Sequence, residues 1–407
     1  MRILMLAHRL PYPPTTGDRV RAYHVAHALA ARHQLTLACP LDGRHELTAA
    51  RTLAGSMRDL EYVALGRWQR TAAALGALAT GAPLSVRYFT SGALRARVRR
   101  RAAAERFDLT YVSSSSMAQY APAGVPMIMD FVDVDSEKFA RYGREARLPM
   151  RLVYRLEAAR LRAYERAIAA RARVSVFVTD AEAALFRGIA PEAVTAVIPN
   201  GVDIEYFRPA QPRRRAVPTI VFTGALDYFP NADGVRHFAD AILPLIHAQL
   251  PGARFVIVGR RPGRAVTALG RRTGIEIFAD VPDVRPYMAE ADVAVVPLRI
   301  ARGIQNKILE SMAMGLPVVT LPAAAQGIAA RSGSEWFVEE SAQAFAARVV
   351  ELLGDAGQRS RVGRRARRLT ESQYAWSHVL SRVEALVSGA AAEANDHRAR
   401  TSGVSHA

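Results

Sequence analysis

Residues Arg299–Thr320 read RIARGIQNKILESMAMGLPVVT, and they carry the clearest architectural pattern in the chain. They follow the apolar run Val293–Val296 and predict a polar loop around Gly303, a helix over residues 304–314 and a strand over Pro317–Thr320. A buried strand, a loop, an amphipathic helix and a second buried strand form a βαβ unit. Such units are typical of parallel sheets that helices cover on both faces.

The same alternation of apolar strands and helical stretches extends through both halves of the chain. Candidate strands are 2–7, 34–38, 60–65, 109–112, 126–130, 174–179, 194–199, 219–223, 255–258, 293–296 and 317–320. We therefore predict an α/β protein with two Rossmann-like, doubly wound domains that face each other across an interdomain cleft. Open sheets of this kind bind ligands at the carboxyl ends of their strands.

A break in the pattern at residues 200–217, which contain Asn-Gly, prolines and an arginine triplet, indicates the domain boundary. We predict an N-terminal domain over 1–205 and a C-terminal domain over 206–375. A helix over 376–387 is expected to pack back toward the N-terminal domain. The alanine-rich and polar residues 388–407 are predicted to be a disordered tail.

Composition excludes several classes of protein. Half of the 407 residues are apolar and 23% are charged, which excludes wholesale disorder and collagen. A single cysteine, Cys39, excludes an intramolecular disulfide framework and a multi-cysteine zinc site. The sequence shows no secretory leader and no spanning helix, so we expect a cytoplasmic protein, with contact at the inner face of the membrane as an extension.

The formal net charge of +18 favours an anionic partner. Nucleic acid is disfavoured because no aromatic interleaving or zinc pattern accompanies the charge. The basic run Arg95–Arg101 is interpreted as a helix face that is either solvated or docked on an anionic membrane.

Lysine is rare in this chain: only Lys138 and Lys307 occur among 55 basic residues. Lys307 lies in the first turns of the predicted helix, where free N–H groups and the helix dipole attract anions and disfavour a cation. A bound anionic ligand would remove that penalty. Glu310, one turn later, can face the same side and accept hydrogen bonds from ribose hydroxyls. The structural alternative is an exposed Lys–Glu pair worth a few tenths of a kcal/mol.

This stretch resembles the donor-binding motif of glycosyltransferase family 4, which has the GT-B fold. Glu310 matches the second glutamate of the family's Glu-x7-Glu, and Gly315–Val319 matches the small-residue and Gly-x-Pro-Val-Val tail. Arg302 stands where the family has its first glutamate. Further segments that resemble the family are Asn200–Asp203, Thr223–Leu226, Val258–Pro262 and Ala291–Pro297.

Three segments look more closely like the sugar transferases of the PEP-CTERM/exosortase exopolysaccharide system: Pro11–Arg21, Asp130–Lys138 and Gly303–Lys307. The resemblance implies transfer of a sugar from a nucleotide-sugar donor to a hydroxyl, with retention of anomeric configuration. The implied acceptor is lipid-linked or a growing polysaccharide. GT-B enzymes generally work without a bound metal, so we predict no metal and no cofactor.

The predicted site residues fall into three groups. The donor-binding set is Gly17, Gly224, Arg302, Gly303, Ile304, Gln305, Asn306, Lys307 and Glu310. The acceptor-side set is His8, Arg19, Arg21 and Lys138. The candidate catalytic residues are Lys307, Glu310, Asp130 and Asp133, because an acid near the acceptor can orient or deprotonate its hydroxyl. The alternatives for this acidic segment are that Asp133 or Ser136 caps a helix, or that one of Asp130, Asp133 and Asp135 forms a salt bridge with Lys138.

Three other functions remain open on the sequence alone. One is another GT-B enzyme, such as a nucleotide-sugar epimerase. A second is a non-catalytic protein that binds nucleotide sugars or polysaccharides, which Arg302 in place of the glutamate keeps open. A third is a basic membrane-surface or nucleic-acid binder.

Overall fold

The computed structural model describes residues 1–57, 59–209 and 217–403, which form two compact units. The first unit contains Met1–Ile198 together with the chain from Leu380 onward, and the second contains Pro199–Val379. The boundary at Ile198 lies close to the predicted boundary at residue 205. Part of the predicted linker, residues 210–216, lies outside the described residues.

The first unit is built on a seven-stranded, wholly parallel sheet in the order β3-β2-β1-β4-β5-β6-β7. Its strands are β1 (Arg2–Ala7), β2 (Gln34–Leu41), β3 (Asp59–Ala64), β4 (Leu109–Ser113), β5 (Met127–Val132), β6 (Val174–Phe177) and β7 (Thr195–Val197). Its helices are α1 (Gly17–Arg32), α2 (Leu47–Ser56), α3 (Arg67–Thr80), α4 (Leu84–Tyr88), α5 (Gly92–Ala104), α6 (Asp135–Glu145), α7 (Met150–Ala169) and α8 (Asp180–Ile189). Strands β1 and β4 at the centre of the sheet are buried on both faces, and this burial explains the uninterrupted apolar run of β1 from Ile3 to Ala7.

The second unit is built on a six-stranded parallel sheet in the order β10-β9-β8-β11-β12-β13. Its strands are β8 (Thr219–Ala225), β9 (Arg254–Arg260), β10 (Ile275–Ala279), β11 (Val293–Val296), β12 (Val318–Thr320) and β13 (Phe337–Val338). Its helices are α9 (Phe229–His237), α10 (Leu243–His247), α11 (Arg264–Thr267), α12 (Arg285–Ala289), α13 (Asn306–Ala313), α14 (Ala342–Gly354) and α15 (Ala356–Leu369). Both strand orders reverse at the first strand of the unit, as doubly wound sheets do.

The predicted α/β class with two Rossmann-like domains is therefore confirmed. Every helix in the described part of the chain is too short or too polar to cross a lipid bilayer. Strands β10 and β13 are not predicted from the sequence, because they are short, partly exposed edge strands. An apolar pattern is weakest where one face of a strand meets water.

The chain ends in helix α16 (Trp376–Gly403), whose residues from Leu380 group with the first unit. Glu384 accepts a hydrogen bond from His33 at 2.9 Å, and Arg382 donates to the carbonyl oxygen of Val197 at 2.5 Å. The helix continues past residue 387, where a disordered tail is predicted, because the alanine-rich sequence that follows has high helix propensity. Residues 404–407 lie outside the described part.

Helix α7 stabilises the first unit through buried glutamates. Glu165 accepts hydrogen bonds from the backbone N–H and the hydroxyl of Ser136, at 3.0 and 2.5 Å, at the start of α6. Glu157 accepts from the backbone N–H groups of Leu84 and Ser85 at the start of α4. These carboxylates satisfy N–H groups that a helix N-terminus leaves without intrahelical partners.

We expect Glu165→Gln to stabilise the protein increasingly as pH rises. Burial raises the pKa of Glu165 to about 7, against the effect of the Ser136 hydrogen bonds. The pKa of Glu165 is higher in the folded protein than in the unfolded chain, so protonation of this side chain stabilises the wild type at low pH. That stabilisation is lost as the pH rises toward 7. Relative to the wild type, the free energy of unfolding of Glu165→Gln should increase by about 2–3 kcal/mol between about pH 5 and 8. Urea unfolding at both pH values measures it.

Glu145→Gln is the matched control, since Glu145 is exposed on the neighbouring helix and pairs with Arg141. It should change the free energy of unfolding by less than about 1 kcal/mol. An equal pH response of the two variants would contradict the role given to Glu165.

Candidate functional site

The candidate site lies in the second unit, at the carboxyl end of its sheet. Strands β8 and β9 lie side by side there, with Gly224 opposite Gly259. A Cβ on Gly259 would approach the carbonyl oxygen of Gly224 to 1.8 Å, so only glycine permits this strand spacing. The carboxyl edge of such a sheet is where doubly wound domains bind ligands.

Lys307 occupies this edge. Its Nζ donates to the Oδ1 of Asn231 at 2.5 Å and lies 4.8 Å from the centre of the Phe222 ring, a cation–π distance. A Cβ on Gly224 would lie 3.0 Å from the same Nζ, so the glycine leaves the space that the ammonium occupies. Asn231 is buried, and its Nδ2 donates to the carbonyl oxygen of Ala225 at 2.8 Å. The amide therefore holds the ammonium beside the end of β8.

Glu310 lies one turn further along α13, and its charge is coupled to that of Lys307. Burial lowers the pKa of Lys307 to about 8, although the Glu310 carboxylate opposes the shift. Burial raises the pKa of Glu310 to about 7, although the Lys307 ammonium opposes it. Both side chains keep part of their surface accessible. A cation and an acid with pKa values near neutrality, at the ligand-binding edge of a sheet, are typical of functional sites.

The loop before α13 is held in a defined conformation. Gly303 has φ of +61°, a left-handed conformation that glycine adopts without strain. The Nε2 of Gln305 donates to the carbonyl oxygen of Arg302 at 3.0 Å, and the Oδ1 of Asn306 accepts from the Nδ2 of Asn200 at 3.2 Å. At the start of the loop, Arg299 makes a two-pronged ion pair with Asp233 of α9. These bonds fix both ends of the loop.

The structure brings together most of the predicted donor-binding set. Gly224 and Lys307 are in direct proximity, and Arg302–Asn306 form the loop and the first residue of α13. Arg302, Gln305 and Asn306 are half-buried, whereas Gly303 and Ile304 are buried. Gly17 instead belongs to the first unit, where it is the exposed first residue of α1.

The predicted acceptor-side residues lie in the first unit in separate ion pairs rather than in one cluster. The Nε2 of His8, at the end of β1, lies 3.1 Å from the Oδ2 of Asp18, whose other oxygen accepts from Thr16. Burial alone would raise the pKa of Asp18, but the hydrogen bonds and charges of His8, Thr16 and Arg9 hold it well below its usual range. Arg19 pairs with Glu46 at 2.6 Å.

Arg21 and Asp130 form a fully buried ion pair. Arg21 contacts both carboxylate oxygens, at 2.8 and 3.2 Å, and Tyr111 donates to one of them at 2.7 Å. The two charged side chains are 2% and 1% exposed. Burial opposes the charge on Arg21, but the Asp130 carboxylate raises the arginine's pKa. This geometry is that of a structural ion pair, so it does not support catalytic or acceptor-binding roles for Asp130 and Arg21.

The rest of the acidic segment lies at the carboxyl end of β5. The Nζ of Lys138 pairs with Asp135 at 2.5 Å, which is the Asp–Lys salt bridge given above as the alternative to a catalytic role. Asp133 is half-buried and follows Val132, which has φ of +69°. A β-branched residue in this conformation is strained, and such strain is often found at functional sites. The catalytic role of Asp133 stays a prediction.

The sequence pattern does not single out four features of this edge: Asn231, Phe222, the Arg299–Asp233 pair and the Arg261–Asp227 pair at 2.9 Å. In the first unit it likewise does not single out Asp18, the partner of His8. The sequence does contain a signal for Asn231: it is a polar residue in the first turn of the helix after β8, which places it at the carboxyl edge of the sheet. Over residues 1–57, 59–209 and 217–403, no group of three or more His, Cys, Asp or Glu side chains is placed to hold a metal ion.

Comparisons with known proteins agree with this architecture. Residues 217–355 match the family described as Glycosyl transferases group 1. The fold is similar to that of HepE from Anabaena, solved in complex with UDP and glucose, with a TM-score of 0.66 and 16% identity, covering 96% of this chain and 100% of that one. It is also similar to sucrose-phosphate synthase from Thermosynechococcus elongatus, with a TM-score of 0.69 and 15% identity over 96% and 98% of the chains.

A third similar structure is WaaG, a glycosyltransferase involved in lipopolysaccharide biosynthesis, with a TM-score of 0.65 and 18% identity over 93% of this chain and 97% of that one. The comparison with curated protein sequences gives no significant match. At these identities the structural similarity establishes the fold. The chain therefore consists of two Rossmann-like domains that match GT-B glycosyltransferase structures, and residues 217–355 of its second unit are similar to the family described as Glycosyl transferases group 1.

Proposed function

We propose that this protein transfers a sugar from a nucleotide-sugar donor to a hydroxyl acceptor, with the donor bound by the second unit. The observation that carries the proposal is the position of Lys307 at the carboxyl edge of the sheet, held by Asn231 beside Gly224. This ammonium lies at the N-terminal end of α13, where the helix dipole adds to its positive potential. A diphosphate is the donor group that this potential suits.

The same charge can assist the reaction itself. When the sugar leaves, negative charge develops on the nucleotide diphosphate, and a fixed cation beside it stabilises the transition state more than the ground state. Asn231 keeps the ammonium in place before the donor arrives, so little reorganisation is needed. Arg302 lies in the loop that leads into α13, five residues before Lys307 in the sequence.

In this proposal Glu310 recognises the ribose. Glu310→Gln should weaken nucleotide binding about 10- to 100-fold, because a hydrogen bond to a carboxylate is worth about 1.5–3 kcal/mol. Isothermal titration calorimetry with the nucleoside diphosphate measures the change. Glu276→Gln is the control, since Glu276 is a partly exposed residue of the edge strand β10 and pairs with Arg254. Equal affinities of the wild type and Glu310→Gln for the nucleoside diphosphate would contradict the role of Glu310 in ribose recognition.

The stereochemistry, the pathway and the acceptor are proposed from the resemblance of the sequence to known glycosyltransferases. We propose that the transfer retains anomeric configuration and serves exopolysaccharide synthesis, with a lipid-linked or polysaccharide acceptor bound on the side of the first unit. The His8–Asp18 pair and Asp133 lie at the carboxyl edge of that unit's sheet and are the groups available to orient an acceptor hydroxyl.

The proposal is tested by incubating the purified full chain with UDP-, GDP- and ADP-sugars and measuring release of the nucleoside diphosphate. Hydrolysis or transfer with at least one donor supports it. Tight binding of a nucleotide sugar without any turnover, across acceptors, would instead favour the non-catalytic alternative that Arg302 keeps open. Conversion of the donor into an epimer would favour the epimerase.

A further inference from the structure

Helices α6 and α7 form a hairpin whose tip presents large apolar side chains to solvent. Leu148 is 69% exposed, Leu152 is 59%, Leu156 is 45% and Met150 is 44%. Soluble proteins seldom expose several neighbouring leucines without a use for them. The residues lie in the loop before α7 and in its first two turns, so they form one continuous feature.

The apolar side chains lie along one side of the helix. Leu152 and Leu156 are four residues apart, which places them one above the other on the same face of α7. Arg151 and Arg155 adjoin them on that exposed side and have the same spacing. The surface is therefore a short leucine stripe with an arginine stripe beside it.

The charge of this surface is almost entirely positive and uncompensated. Arg144, Arg147, Arg151 and Arg155 are all exposed. Within the described ranges none of these four makes an ion pair with an acidic side chain. The one exposed acid nearby, Glu145, is paired with Arg141.

The arginine run of α5, predicted from the sequence as a membrane-docking candidate, is different. Arg97 pairs with Glu61 at 3.4 Å, and Arg101 pairs with Asp59 at 2.9 Å. The exposed face of α5 also lacks large apolar side chains, because Leu94 and Val98 are buried in the core. Of the two basic surfaces, only the hairpin combines free positive charge with exposed leucines.

The hairpin is held rigidly, so its tip is formed before any partner binds. Gly143 of α6 lies against Arg155, and a Cβ there would come within 3.1 Å of the arginine Cγ, so the glycine lets the two helices approach closely. The rings of Phe139, Tyr142 and Tyr154 pack on one another with centres 5.7–6.1 Å apart. The contact of Glu165 with Ser136 fixes the base of α6.

We propose that the tip of the α6–α7 hairpin, residues 144–156, docks on the surface of an anionic lipid bilayer. Leucine and methionine side chains at this position can enter the boundary between headgroups and acyl chains, while the arginines contact anionic headgroups. A second copy of the chain is a poorer occupant, because a symmetric contact would bring these uncompensated arginines against one another. The inference uses only the first unit and does not depend on the proposed reaction.

The test is co-sedimentation of the full chain with vesicles of phosphatidylcholine alone and of phosphatidylcholine mixed with phosphatidylglycerol. Because the whole chain has a net charge of +18, binding to anionic vesicles by itself is not decisive. The decisive comparison is between two variants that remove the same charge. R151Q/R155Q should weaken binding by about tenfold or more, since each arginine near an anionic surface contributes appreciably. R99Q/R100Q, on the exposed face of α5, should weaken it less than about threefold.

The leucines are tested separately. L148S/L152S/L156S should lower vesicle binding by about tenfold or more, whereas Leu185→Ser, a 46% exposed leucine of α8, should leave it unchanged. Leu152→Trp retains an apolar side chain, and its fluorescence should shift to the blue with anionic vesicles. Far-ultraviolet circular dichroism verifies that each variant folds.

Three results would overturn the proposal: equal loss of binding in the α5 and hairpin variants, absence of binding to both kinds of vesicle, or unchanged emission of Leu152→Trp. Light scattering provides a fourth criterion. If the wild type is a dimer that the leucine variant converts to a monomer, the surface is a contact between copies and the lipid assignment is wrong.

Discussion

Lys307→Ala should lower kcat/KM for sugar transfer by about 10²- to 10³-fold, the usual effect of removing a fixed group that stabilises developing charge. Its effect on folding should be small, within about 1 kcal/mol in the free energy of unfolding, because burial already disfavours the charged ammonium. Steady-state kinetics and urea unfolding of the same preparation separate the two effects. Lys307→Met, which retains most of the volume, should be equally inactive.

Arg254→Ala is the matched control, since Arg254 is a half-exposed cation at the opposite, amino end of β9. It should leave kcat/KM unchanged. A pH profile adds a second criterion: because the pKa of Lys307 is about 8, kcat/KM should fall as pH rises through about 8, when the free enzyme loses the positive charge. Full activity of Lys307→Ala, or an alkaline limb that survives in Lys307→Met, would contradict the phosphate role.

The second large effect is on stability. Arg21→Met should lower the free energy of unfolding by about 3–5 kcal/mol, because it leaves the Asp130 carboxylate buried without its cation. The double variant R21M/D130L should be considerably more stable than Arg21→Met alone, since an apolar pair removes the uncompensated charge. Chemical denaturation at neutral pH measures all three proteins.

Arg141→Met tests whether burial of the ion pair causes the large loss of stability expected for Arg21→Met. Arg141 makes an exposed ion pair with Glu145 one turn away, and its loss should change the free energy of unfolding by less than about 1 kcal/mol. If Arg21→Met cost no more than this control, Asp130 would not need its partner for folding, and the catalytic interpretation of Asp130 would regain support.

The fold was predictable because the central strands are covered on both faces by helices. That environment favours continuous apolar runs, and β1 and β11 show them directly in the sequence. The position of Lys307 was also predictable, because a strand, a glycine loop and a helix start place it at the carboxyl edge of the sheet. A local sequence pattern is sufficient to predict the position of a residue when the strand, loop or helix that contains the residue fixes that position.

The partners of each charged residue were not predictable. Arg21 pairs with Asp130 across 109 positions of sequence, and Lys307 bonds Asn231 across 76. No periodicity encodes which carboxylate a buried arginine meets, because the pairing arises from the register of β4, β5 and α1 in the folded unit. For the same reason the acidic segment Asp130–Lys138 resembled a single catalytic cluster, although its members lie in different environments.

The role of Lys307 in donor binding is tested most directly by calorimetric titration of the full chain with UDP-, GDP- and ADP-sugars, repeated with Lys307→Ala. The wild type should bind at least one of them, and Lys307→Ala should bind the same ligand at least about tenfold more weakly. Failure of the wild type to bind every donor, or equal affinity of the two proteins for the donor that binds, would contradict that role.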